Sequence, residues 1–160
     1  MLKRINDIIN QVNVFVLIFL SLVMSGSVFI QIVARNIFNS SFEQFEELPR
    51  FLLIWITFLG SAMVFRNAGH LGVEFFVKIL PKKARLITDM LAHISNTMFI
   101  LILIFVGGNI SVLTMVQRSI QLNVPVGFVY MALPIAGIMM LLIEFERVLV
   151  TFRSMKKMLV

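Results

Sequence analysis

Four runs of this chain contain no Asp, Glu, Lys or Arg: residues 8–34, 51–65, 90–117 and 119–143. A charge at the centre of a bilayer costs about 2.5–3.5 kcal/mol on insertion scales, so long charge-free runs identify the solvent in which a segment folds. Three of the runs hold 27, 28 and 25 residues, more than the roughly 20 that cross about 30 Å of hydrocarbon as helix. The second holds 15, about 22 Å of helix. Its helix must therefore extend into flanking polar residues, with Arg50 and Arg66 near the two interfaces and their stems along apolar surface. Hydrophobic residues make up 59% of only 160 positions, against roughly 45–50% in soluble domains. A chain this short cannot hide that much apolar surface from water. The expected fold is an all-α integral membrane domain with transmembrane helices over about 8–35, 46–67, 82–118 and 125–152. There are no repeats or linkers to divide it, so residues 1–160 read as a single membrane domain.

Orientation follows from Lys and Arg. The N-terminus (Lys3, Arg4), the second loop (Arg66, Lys78, Lys82, Lys83, Arg85) and the C-terminus (Arg147, Arg153, Lys156, Lys157) hold 11 of the 14. Only Arg35, Arg50 and Arg118 fall on the other side, so the positive-inside rule places both termini in the cytoplasm and the acidic first loop outside. The small residues Ser25, Gly26 and Ser27 resemble a signal-peptide cleavage site. The apolar run nonetheless continues through Val28, Phe29, Ile30, Ile32, Val33 and Ala34, as an uncleaved anchor requires. In the second loop Val73, Phe76, Val77 and Leu80 recur at helical spacing, and His70, Glu74 and Lys78 share another face, which predicts a short interfacial helix over about 71–80. Pro81 ends it and opens the third transmembrane helix, which at about 55 Å must tilt or project from the bilayer.

Several chemistries find no constellation here. The absence of cysteine removes disulfides, thiol catalysis, iron–sulfur clusters and Cys-ligated zinc. The net charge of +6 falls in short clusters beside apolar runs, where it suits lipid phosphates and the positive-inside bias, not nucleic acid. No catalytic, cofactor or metal site is expected, and the chain does not read as an enzyme. Asp89, His93 and Asn96 form a polar stripe on the third helix, readable as an ion path or as hydrogen-bonding groups between helices. His70 and His93 as axial haem ligands would make a cytochrome b-like or quinone-linked anchor the alternative function. One lies in a loop and the other on the longest helix, which argues against that pairing. A self-sufficient exporter or channel lacks its usual mark here, a membrane-buried carboxylate in an otherwise apolar helix. Small residues at Ser21/Ser25, Gly60-Ser61-Ala62, Gly107-Gly108 and Ala132/Ala136 read as close-packing positions. Pro134 should kink the last helix by freeing the Tyr130 carbonyl.

The densest cluster is Phe42-Glu43-Gln44-Phe45-Glu46-Glu47-Leu48-Pro49-Arg50 at the outer mouth of the second helix. Glu46 and Glu47 stand four and three residues before Arg50, within ion-pair reach on a helix. Exposed to water, the group reads as a docking element and not as acid–base machinery.

Arg35-Asn36-Ile37-Phe38, Glu46-Glu47-Leu48-Pro49-Arg50, Trp55, Phe58-Leu59-Gly60-Ser61-Ala62, Arg66 and His70, in that order and spacing, resemble the first half of the small membrane subunit of TRAP transporters. Asn123-Val124-Pro125-Val126-Gly127, Tyr130 and Pro134 are similar to the family's segment entering its last helix. The resemblance covers essentially the whole chain. It implies a three-part system in a bacterial inner membrane: this subunit, a large permease subunit, and a periplasmic binding protein delivering an organic acid, sialic acid or a C4-dicarboxylate, for sodium-coupled uptake. The large subunit would carry the substrate and sodium sites. This chain, embedded in phospholipid and without a cofactor, would hold that subunit's scaffold while its transport domain moves. Interface candidates on this reading are Arg35, Glu43, Glu46, Glu47, Arg50, Trp55, Gly60, Arg66, His70, Pro125, Tyr130 and Pro134.

The charge asymmetry makes a direct prediction. A cysteine at position 41, in a chain with none of its own, should react with an impermeant maleimide added to the outer face of intact cells. Reaction only after the inner face is opened would invert the topology.

Overall fold

The computed structural model describes residues 2–37, 44–67 and 82–158. Glu43, His70 and the interfacial helix expected over 71–80 lie outside the described residues. The described chain forms α1 (Leu2–Ile37), α2 (Gln44–Asn67), α3 (Lys82–Leu113), a short α4 (Val126–Tyr130) and α5 (Ala132–Met158). Four segments are long and apolar enough to cross a bilayer: Asn6–Ile37, Glu46–Arg66, Ile87–Val116 and Val126–Leu149. The second extends into its flanking polar residues, as a 15-residue apolar run must.

Two boundaries depart from simple apolar periodicity. α3 does not run on to Arg118: it tightens into a 3-10 turn over Thr114–Val116, and Gln117 is extended at φ −80°, ψ 129°. Extended backbone is needed there because Ser119 N donates to Val124 O at 2.9 Å and Val126 N to Gln117 O at 2.9 Å, closing a small antiparallel bridge between Arg118 and Pro125. Asn123 turns this loop at φ 53°, a left-handed conformation that Asn tolerates better than most residues. The last span is interrupted between Tyr130 and Ala132. Pro134 has no N–H for the Tyr130 carbonyl and its ring crowds that group. The break is local, since Met131 N still reaches Gly127 O at 3.0 Å and Ile135 N reaches Met131 O at 3.2 Å.

The helices form a row, not a closed square. α1 packs on α2, α2 on α5 and α5 on α3, with a lesser contact of α1 on α5; among the described residues the backbone of α3 does not come close to that of α1 or α2. α5 is therefore the central helix, and 33% of its spanning window is buried against 6% for α1. The core joins Ala62 of α2, Ile100 of α3 and Ala136 and Met140 of α5, flanked by Phe58, Phe65, Leu103 and Ile104. Without a hydrophobic drive between helices in lipid, close approach at small residues supplies the attraction. A Cβ on Gly107 would stand 2.7 Å from Leu133 Cβ, and one on Gly137 2.7 Å from Ile104 Cγ1.

The small-residue positions split accordingly. Ala62, Ala132 and Ala136 are buried, but a Cβ on Gly60 or Gly108 would meet nothing within 4 Å, and Ser25 and Ser61 are exposed. Adjacent helical positions point about 100° apart, so one member of a small pair faces a neighbour and the other faces outward. Gly107→Ala should accordingly destabilise the α3–α5 contact by about 1–3 kcal/mol through overpacking. Gly108→Ala should be neutral or stabilising by up to about 1 kcal/mol. Reversible unfolding of both variants in detergent or bicelles checks the contrast.

Candidate functional site

At the end of the bundle that carries both chain termini, polar side chains join the helices in pairs. Asn13 of α1 is buried and its Nδ2 donates to Leu59 O of α2 at 2.9 Å. About two turns nearer the terminus, Asn6 donates to the Glu146 carboxylate and to Leu142 O of α5. Arg66, in the last turn of α2, donates to Asn6 O and forms an ion pair with Asp7. Arg147 of α5 donates to Phe65 O and, at 3.2 Å, to Arg66 O, and its guanidinium lies 4.9 Å from the Phe65 ring centroid. A helix leaves its last carbonyls without intrahelical donors. Arg147 supplies one and places a cation at the negative end of the α2 dipole, with a cation–π contact added.

The α3–α5 junction is ionisable. Glu144 is 1% exposed and its Oε1 stands 2.7 Å from His93 Nδ1, within hydrogen-bond distance. His93 Nε2 stands 3.3 Å from Thr151 Oγ1 on the next turns of α5. Glu144 lies about 10 Å from the midpoint of its span at 1.5 Å per residue, within the hydrocarbon region. A carboxylate there needs a partner on a facing helix, and His93 supplies it. The polar stripe on the third helix thus works as a helix-to-helix bond at His93. With both ring nitrogens engaged, His93 is no open haem ligand.

The opposite end is organised by Glu47. Its Oε2 accepts from Gln121 N at 3.1 Å and Leu122 N at 2.9 Å, tying the start of α2 to the loop between α3 and α4. The expected ion pairs with Arg50 do not form: among the described residues no salt bridge joins Arg50 to Glu46 or Glu47, and Arg50 and Glu46 are both exposed. Two backbone amides fixed in one turn offer Glu47 a preorganised charge-assisted bond, which a mobile arginine in water cannot match. Arg35 is exposed in the last turn of α1. Trp55 is half-buried along α2, Pro125 caps α4 and Tyr130 ends it. The described interface candidates are therefore spread along the bundle, with Trp55 and Gly60 near the middle of the α2 span, and do not converge on one pocket. Sequence reasoning passed over Asn6 and Asn13 and counted Arg147 only as a charge at the C-terminus; the buried carboxylate it held to be lacking is present as Glu144 in the last span. The available signal was their polarity inside or beside apolar runs, which marks a group that must be paired.

A family model for the DctQ component of tripartite ATP-independent periplasmic transporters matches residues 24–154. The chain belongs to the DctQ family. A Haemophilus influenzae protein named as a TRAP transporter small permease is 30% identical to this DctQ-family chain, over 94% of each. The sialic acid TRAP transporter small permease SiaQ of Vibrio cholerae is 26% identical over 99% of this chain and 90% of its own length. The sialic acid TRAP transporter permease SiaT of Haemophilus influenzae is 25% identical over 84% of this chain, and that match occupies only 22% of SiaT. A segment like this one therefore stands within a much longer permease polypeptide. This DctQ-family chain is a multi-pass membrane protein and a TRAP small permease subunit.

His93→Ala leaves the Glu144 carboxylate buried without its partner and should cost about 3–5 kcal/mol, whereas His93→Leu combined with Glu144→Met removes both polar groups and should cost far less. Thermal unfolding in detergent distinguishes the two. Equal losses would deny that the bond is what each residue contributes.

Proposed function

We propose that this chain is the scaffold subunit of a sodium-coupled TRAP transporter that imports an organic acid, sialic acid or a C4-dicarboxylate. It works with a large permease subunit, which carries the substrate and sodium sites, and with a periplasmic binding protein. Its place is a phospholipid inner membrane, with both termini cytoplasmic and the Glu47 end outward. The observation that carries this reading is a set of polar bonds that each join two helices: His93 to Glu144, Asn13 Nδ2 to Leu59 O, Arg66 to Asp7 and Arg147 to the end of α2. A site that binds and releases a carboxylate and sodium needs donors and acceptors free to exchange partners. These groups hold helices together instead, as a static support requires.

The similarity to SiaQ and SiaT favours sialic acid among the two substrate classes, and the fusion-like match within SiaT supports a permanent membrane partner. The row of helices exposes broad apolar faces on α1 and α3, surface that a larger membrane subunit or lipid would cover. The exposed Arg35, Glu46 and Arg50 are proposed as contacts of the outer end with the partner proteins, and Trp55 and Gly60 as contacts along α2.

Reconstitution tests the division of labour. Vesicles holding this chain alone should show no sodium-dependent sialic acid uptake, and uptake should appear when the large subunit and the binding protein are added. Accumulation by this chain alone would overturn the scaffold reading.

A further inference from the structure

The loop between α3 and α4 combines two properties that rarely coincide in a water-exposed connection. It presents large apolar side chains outward: Ile120 at the tip of the turn is 96% exposed and Val116 is 88% exposed, with Leu113 and Val112 also exposed behind them. It also satisfies its own backbone. Of the nine N–H groups between Gln117 and Val126, six donate within the chain: Gln117 to Thr114 O, Ser119 to Val124 O, Gln121 and Leu122 to Glu47, Val124 to Ser119 Oγ, and Val126 to Gln117 O. A loop bathed in water needs no such provision, because water serves its amides. One at the edge of hydrocarbon does, since each unpaired amide there costs several kcal/mol.

The apolar ridge identifies the occupant. Val112, Leu113 and Val116 lie at the end of the α3 span, so Ile120 continues the lipid-facing surface of that helix past its last turn. Two residues before Ile120, Arg118 is exposed and donates through Nη1 to Asn123 O at 3.1 Å, which ties the guanidinium to the same loop. Exposed apolar side chains beside an exposed cation match the boundary between acyl chains and phosphates.

We propose that the Gln117–Pro125 loop is an interfacial anchor that seats Ile120 in the headgroup–acyl boundary of the bilayer with Arg118 on lipid phosphate, held in that posture by Glu47. Glu47 is the positioning residue: it touches no lipid, but its carboxylate fixes the two amides that follow Ile120. The anchor braces the long α3 and the broken α4–α5 segment at a common depth.

Trp55 is the only tryptophan, so a Trp55→Phe background carrying Ile120→Trp places one fluorophore at the tip. The chain is reconstituted with its large membrane subunit in phosphatidylcholine–phosphatidylglycerol vesicles containing phospholipid brominated high on the acyl chain, and the emission of the same complex without Ile120→Trp is subtracted. The expected result is blue-shifted emission, strong quenching by the brominated lipid and little by aqueous acrylamide. Adding Glu47→Ala should shift emission to the red and lose the lipid quenching, with helicity by circular dichroism unchanged. Glu47→Gln, which keeps an acceptor oxygen, should restore much of it. Acrylamide-accessible, red-shifted emission in the starting protein would overturn the proposal. So would lipid quenching seen for this chain alone and abolished by the large subunit, because the tip would then face a protein partner. Lipid quenching unaffected by Glu47→Ala would overturn the role of Glu47.

Discussion

Hydrocarbon offers no hydrogen bonds, and the architecture depends on that absence. Backbone groups are satisfied within each helix, and the short hydroxyls of Ser27, Thr57, Ser61, Thr97 and Ser111 turn back to carbonyls of their own helix, whereas longer polar side chains reach a neighbouring helix. Those become joints: Asn13 joins α1 to α2, His93 and Glu144 join α3 to α5, and Asn6 joins α1 to α5. The joints are directional, whereas the apolar faces around them would pack almost equally well at several rotations. A few polar residues thus choose one arrangement from many.

α5 carries most of this organisation. It contributes Leu142 O, Glu144, Glu146, Arg147 and Thr151 to its neighbours over less than three turns. It also provides the small surface, Ala136 and Gly137, against which α2 and α3 close. The row that results leaves α1 and α3 each with neighbours on one side. For a DctQ-family chain that geometry is informative, because a self-contained transporter encloses its path between helices and this arrangement leaves little interior to enclose.

The two ends are built on different principles. At the terminal end charged groups from three helices meet one another, so the ends of α1, α2 and α5 are tied at one level. At the other end a single carboxylate, Glu47, acts on backbone amides and orders a loop whose own side chains point outward. The family match over residues 24–154 includes the start of α5, its Leu142–Thr151 contacts and the Glu47 loop, while Asn6 and Asp7 lie before it.

Hydropathy and charge are summed along the chain, so the sequence alone determined the solvent, the four spans and the short second helix, and its proline marked the interruption of the last span ahead of Pro134. Family membership was legible from the order of motifs from Arg35 to Pro134. The joints were not, because a partner depends on how far each helix is rotated about its axis and on which helix lies beside it. His93 and Glu144 are 51 residues apart, and Glu47 and Gln121 are 74 apart. Nothing local distinguishes Gly107, pressed against Leu133, from Gly108, which meets nothing. Nor does spacing reveal that Glu47 serves the Gln121–Leu122 amides in place of Arg50, although Arg50 stands at ion-pair distance along the helix. Such choices were decided only by the tertiary structure, where a rotation of about 100° per residue turns neighbours in sequence towards different surroundings.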